Sequence, residues 1–401
     1  MRFADFVEIN PRVRLNKGSI YPFVAMEIVT PGSRYVKTKI TREYTGGGGS
    51  KFCLGDTLFA RITPCLENGK IAQFRWDQDQ EGFGSTEFFV FRARDNVSIP
   101  PFVYYLASTE IIRGPAVKSM TGASGRQRAE LKAIENIEIP LVTIPVQHKI
   151  SYILSAYDDL IENNLKRIKI LEEMAQMIYR EWFVNFRFPG HEKVKMVKSE
   201  LGMIPEGWEV KKLGDVCNVT MGQSPKSEFY NATGDGLPFH QGVKDFGNRF
   251  PNHVTYCTVE SRVADKGDIL ISVRAPVGRV NVANTKLIIG RGLSAVRHKS
   301  GLQSFLLYQL KNIFAEEDTM GSGTIYKAIT KDDLLNIKLI MPDNYLDHQF
   351  NKLISSLDSQ IENLTYKNNN LRKTRDLLLP KLINGEIDVD KLNIQMNNKA
   401  E

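Results

Sequence analysis

The chain repeats itself at a distance of about 200 residues, and that repeat limits its fold more than any other feature. Ser155, Asp158, Glu162 and Asn163 return in register as Ser355, Asp358, Glu362 and Asn363, inside the otherwise similar stretches 154–163 and 354–363. His148 and His348, and Leu171 and Leu371, keep the same offset. Solenoid repeats are roughly 20 to 50 residues long, so a unit of this size is a duplicated domain. The expectation is a pseudo-twofold protein suited to a two-part partner.

The duplication extends upstream. Gly55-Asp56-Thr57-Leu58 ahead of Pro64 matches Gly267-Asp268-Ile269-Leu270 ahead of Pro276, and Gly82 and Gly84 are matched to Gly290 and Gly292. Residues 134–139 and 334–339 alternate apolar with polar, which predicts a half-buried strand before each helix.

Both helices carry a heptad seam. Leu154, Tyr157, Ile161, Asn164, Ile168, Leu171, Ala175, Ile178 and Trp182 step by threes and fours, as do Ile354, Leu357, Ile361, Leu364, Asn368, Leu371, Arg375, Leu378 and Leu382. Apolar a and d positions over four heptads predict a coiled coil, and roughly 35 residues at 1.5 Å each give about 50 Å. A polar seam residue in each helix, Asn164 and Asn368, fixes register at a cost in stability. Arg375 is expected to weaken the seam locally.

Composition narrows the function. A chain of 401 residues with 42% hydrophobic and 25% charged residues has room for two to four globular domains. No apolar run approaches the roughly 18 residues needed to span a bilayer, and the N-terminus does not read as a signal peptide, so a cytoplasmic protein without membrane attachment is expected. The four cysteines lack CxxC spacing and the six histidines do not cluster with them, which argues against structural zinc and disulfides. A net charge of +7 is compatible with nucleic acid without requiring it. The chain breaks at Pro189-Gly190 and turns apolar again after Pro205-Glu206-Gly207-Trp208, which places the boundary between halves there. Gly46 to Ser50 reads as a mobile loop or turn.

Catalytic patterns are missing from the sequence. There is no GxxxxGK[ST] phosphate loop. The double proline Pro100-Pro101 lacks the preceding Asn or Asp of an amino-methyltransferase, and Pro342-Asp343 has no following ExK to complete a metal-nuclease cluster. His148 and His348 have no matching nucleophile. These features predict a binding protein.

Three segments then carry a family resemblance across nearly the whole chain: residues 55–70, from Gly55-Asp56-Thr57-Leu58 to Asn68-Gly69-Lys70; residues 204–215, opening Ile204-Pro205-Glu206-Gly207-Trp208; and residues 378–387, with Leu379-Pro380-Lys381-Leu382-Ile383-Asn384-Gly385. In this order they resemble the specificity subunits of type I restriction-modification systems. The first half departs from the pattern by starting at Phe3-Ala4-Asp5 without a Pro-Glu-Gly-Trp lead-in.

The resemblance implies an α+β fold: two pseudo-twofold-related α/β target recognition domains separated by two long helices that form an antiparallel intramolecular coiled coil. The expected limits are 1–145 for the first recognition domain, 146–186 for the first helix, 187–206 for a linker, 207–343 for the second recognition domain, 344–385 for the second helix and 386–401 for a tail. It further implies a subunit with no catalysis and no cofactor of its own, which binds double-stranded DNA at a bipartite site and scaffolds two methylation subunits and the motor-nuclease restriction subunits. S-adenosylmethionine, ATP and magnesium belong to those partners. Half-sites one DNA turn apart, about 34 to 36 Å, fit within the helix length. A coiled-coil adaptor for proteins, or an enzyme with an unrecognised active site, are the alternatives.

Base readers must be Arg, Lys, Asn or Gln on loops that can enter a groove. Two Gly-rich loops at corresponding places offer Ser124, Arg126, Gln127 and Arg128 in the first half and Ser322, Thr324, Tyr326 and Lys327 in the second. Arg61 and Lys70, with Arg274 and Arg279, follow matched strands, and Lys51, Gln241 and Lys244 complete the candidates. His240 and His253 read as surface histidines.

Overall fold

The computed structural model describes residues 1–78, 80–123, 125–315 and 328–392. They divide into two compact units, one of residues 1–166 with the chain from 364 onward, the other of residues 167–363. Each unit holds one recognition fold together with a stretch of both long helices, so the division falls inside the helices.

The first long helix runs Ile144–Tyr179 and the second Asn344–Ile383. In the first unit Ile150 and Leu154, near the start of one helix, share a core with Leu379 and Leu382, near the end of the other. In the second unit Ala175 and Tyr179 share a core with Leu346, Phe350 and Ile354. Early residues of one helix meet late residues of the other in both units, so the helices run antiparallel. Leu154, Ile161, Asn164, Ile354, Ile361, Leu364 and Asn368 are buried, whereas Tyr157, Ile168, Leu171, Ile178, Leu357, Leu371 and Leu378 are half-buried. Asn164 donates to Asn368 at 2.8 Å. Arg375, expected to be a weak point, is instead buried and held by Asp158 and by the Gly32 carbonyl.

Two small sheets recur in both recognition folds. In the first unit the strands Val7–Ile9, Phe88–Ala93, Thr57–Ala60, Ile71–Phe74 and Tyr35–Val36 lie side by side in that order. Their counterparts in the second unit are Cys217–Met221, Leu293–His298, Ile269–Ser272 and Val280–Val282. Pairing registers agree: Phe91 faces Ile9 and Thr57, and Val296 faces Val219 and Ile269. The other sheet centres on a parallel pair in each unit, Ile20–Val24 with Gly82–Gly84 and Leu237–His240 with Leu287–Ile289. Gly46 to Gly49 joins Thr41–Glu43 to Ser50–Phe52 in the first of these.

The repeated Gly-Asp has a local cause. Gly55 and Gly267 take the positive φ values of 83° and 88° that turns favour in glycine. The next carboxylate accepts the amide three residues back, Cys53 to Asp56 at 2.7 Å and Asp265 to Asp268 at 2.8 Å. Arg92 and Arg297, at matching places on the adjacent strand, pair with those carboxylates.

Three sequence expectations need correcting. Residues 131–135 form a short helix, and only an isolated bridge between Arg2 and Glu138 follows. In the second half the helix Lys331–Leu335 precedes a true strand, Lys338–Met341, so the alternating pattern marked a strand only at its far end. The helix wins because Thr330 and Asp333 form a capping box that starts it. The match of Gly82 and Gly84 with Gly290 and Gly292 is out of register, because the strand corresponding to Gly82–Gly84 is Leu287–Ile289. Finally, the segment 187–206 is not plain linker: it contains a hairpin of Met196–Ser199 with Gly202–Pro205. The helix before it ends in a widened turn, Arg180–Val184, and Phe183, Phe186 and Phe188 then pack around Trp208 at 5.8, 5.5 and 5.3 Å.

Candidate nucleic-acid interface

In each unit a buried arginine ties the recognition fold to a helix. Arg34 reaches the Tyr105 and Ser155 hydroxyls, and Tyr105 donates to Asp158 at 2.6 Å. Arg249 likewise donates to the Tyr308 hydroxyl, and it also bonds the aspartate, Asp358, directly, with Glu172 as a further partner. The duplicated aspartates therefore hold the domain on its helix. Burial raises Tyr105 and Tyr308, so both stay neutral donors at any working pH.

On the first recognition fold lies a basic groove of about 580 Å³, lined among others by Asn10, Arg12, Arg14, Lys51, Arg61 and Thr86. Lys51 sits 4.9 Å over the Tyr44 ring. Arg61 donates to Glu87 at 3.3 Å and stacks over Phe89. The same carboxylate takes two donors of Arg128, Nε at 2.9 Å and Nη2 at 2.6 Å, and these bonds hold Glu87 below its ordinary value against partial burial.

Arg128 is fixed by its backbone as well, in bridges to Ile62 and Thr121. Gln127 exchanges a hydrogen bond with Thr63 and is half-buried. Arg126 is exposed, and its side chain has no hydrogen-bond or ion-pair partner among the described residues. Lys70 is occupied by the Met26 carbonyl at 2.9 Å and does not line the groove.

The second fold has a smaller cavity of about 200 Å³ that brings together Gln241, Ser272, Arg274 and Arg291. Gln241 accepts from Ser224 at 2.7 Å. Arg274, Arg279, Lys244 and Arg291 are exposed. Ser124, Ser322, Thr324, Tyr326 and Lys327 lie outside the described residues. His240 corrects its surface reading: it is buried, bonded to His253 at 3.0 Å, and burial with that neighbour pushes it down to about 4. A neutral, enclosed histidine is a core residue. Sequence reading also missed Arg12, Arg14, Glu87 and Arg291. The Arg12 and Arg14 alternation directly after Pro11 was the available signal, whereas nothing local marks Glu87.

Among the described residues no group of three or more His, Cys, Asp or Glu could hold a metal ion, and no helix is long and apolar enough to cross a membrane. The family model for the type I restriction modification DNA specificity domain matches twice, at residues 3–173 and 205–373. The chain belongs to the family of type I restriction-modification specificity subunits. A putative type I restriction enzyme MjaX specificity subunit of Methanocaldococcus jannaschii is 34% identical over 84% of this chain and 80% of its own length. The type I restriction enzyme HindI specificity subunit of Haemophilus influenzae is 22% identical over 83% and 86%. In fold, the chain is similar to the crystal structure of a type I restriction-modification S subunit from M. genitalium, with a TM-score of 0.52 at 18% identity, covering 96% and 95%. As a specificity subunit, the chain is a DNA-recognition component rather than a catalyst.

Proposed function

We propose that each recognition fold of this specificity subunit reads one half of a bipartite double-stranded DNA site, while the helices seat two methylation subunits and the motor-nuclease subunits of a cytoplasmic complex. S-adenosylmethionine, ATP and magnesium act in those partners, and this chain holds none of them. The reading rests on one observation above all: the two folds keep the same framework and differ at its polar edge. Asp56 with Arg92 and Asp268 with Arg297 are the same bond. By contrast Arg61, Glu87 and Arg128 give way to Val273, Gly292 and Ala328 at the corresponding backbone bonds and bridges. A constant scaffold with an exchanged edge suits two modules that read different sequences.

The groove supplies cations for phosphate and Arg126 supplies one more, at the tip of a Gly-flanked loop. The assembled methyltransferase, titrated with cognate and scrambled duplexes at several salt concentrations, tests this. Arg126→Ala should weaken both affinities together and make the salt dependence shallower by about one counterion. A wild-type complex that binds both duplexes equally would overturn the proposal.

A further inference from the structure

We propose that Arg128 is a preoriented guanine reader and that Glu87 is the positioning residue that holds it. The inference rests on the DNA-reading function proposed above and assigns one base contact within it.

A guanidinium has two usable edges. Glu87 occupies the edge formed by Nε and Nη2 of Arg128, at 2.9 and 2.6 Å. The opposite edge, Nη1 with the second Nη2 hydrogen, bonds nothing among the described residues. That free edge is the fork which matches O6 and N7 of guanine in the major groove. The side chain is 46% exposed while Glu87 is only 19% exposed, so the carboxylate lies behind the arginine and the free fork is open to a partner. Backbone bridges on both sides of Arg128 fix where the fork starts. A long side chain held this way loses less rotamer freedom on binding than a loose one.

An exposed ion pair is ordinarily a surface detail of little consequence. Two facts set this one apart. Glu87 gathers two arginines, Arg61 from the groove wall and Arg128 from the loop, leaving a net positive cluster around a fixed carboxylate. The second fold also cannot build the same device: Gly292 stands where Glu87 stands, and a Cβ there would come within 2.6 Å of the Gln241 carbonyl oxygen. The pair belongs to the first module alone, as a contact for one half-site should. Arg126, unpartnered on the same loop, then serves phosphate rather than a base.

The test uses the assembled methyltransferase on duplexes of its own site, defined by mapping methylated adenines. The half belonging to the first domain is assigned by domain exchange. Each guanine is replaced in turn by 7-deazaguanine, which lacks the N7 acceptor. Wild type should lose about ten-fold or more in affinity at one guanine of the first domain's half-site. Arg128→Ala removes the fork, so it should become insensitive to that replacement, with a smaller loss of affinity for a scrambled duplex. Glu87→Gln should blunt the same sensitivity and leave scrambled-duplex affinity equal or higher, since a negative charge near phosphate is removed. An Arg128→Ala complex as sensitive as wild type at every guanine, or a first half-site without guanine, would overturn the assignment. Loss of all sequence preference by the wild-type complex would instead mark failure of the DNA-reading function itself.

Discussion

Asp158 and Asp358 show how a repeated residue acquires a reason. Both were visible as identities between the halves, but the arginines they hold, Arg375 and Arg249, are more than 100 residues away in sequence. Pairing of this kind is legible only once the fold is known. Separation along the chain also hid Glu87, whose two arginines lie 26 and 41 residues away on separate segments. Leaving a buried charge without a partner costs about 3 to 5 kcal/mol, and Arg249 keeps Glu172, so the loss of Asp358 should cost less than that. Arg249 is 6% exposed, so Asp358→Ala should lower the unfolding midpoint of the chain clearly, and Asp358→Asn, which keeps hydrogen-bonding atoms, should lower it less. Trp182 and Trp208 lie in the same unit and give a fluorescence signal for the transition. An unchanged midpoint for the alanine variant would show that Arg249 is satisfied without Asp358.

At the scale of elements, the helices were the easiest to read. A seam with a period of three and four residues is a local property that repeats over many turns, and it survives the loss of any one position. The short stretches were harder. Residues 134–139 are too few to separate an alternating strand from a helix end, and the cap at Thr330 lies outside the pattern that was read. In the seam, Asn164 and Asn368 satisfy each other, and Asn368 also donates to the Ile161 carbonyl at 3.5 Å. The single variant Asn164→Leu strands Asn368 and should destabilise by about 1 to 3 kcal/mol. The double variant with Asn368→Leu replaces both polar groups with apolar ones and should recover or exceed wild-type stability. The two denaturation midpoints decide the matter, since equal losses for single and double variants would mean that the amides are not partners.

For the whole molecule, duplication made the architecture legible, because two copies of one pattern in order leave few arrangements open. The candidate groove was only partly legible. Arg61 and Lys51 stand out by type and place, whereas Arg12 and Arg14, which line the same groove, do not. Arg61, Glu87 and Arg128 correspond to Val273, Gly292 and Ala328, so identity between the halves does not mark them. The central claim is that each module reads its half-site independently. The direct measurement is a map of methylated adenines made by the assembled complex before and after residues 207–340 are exchanged for the same domain of a relative. The account predicts that one half of the methylated motif changes and the other stays as it was. A change in both halves, or in neither, would contradict it.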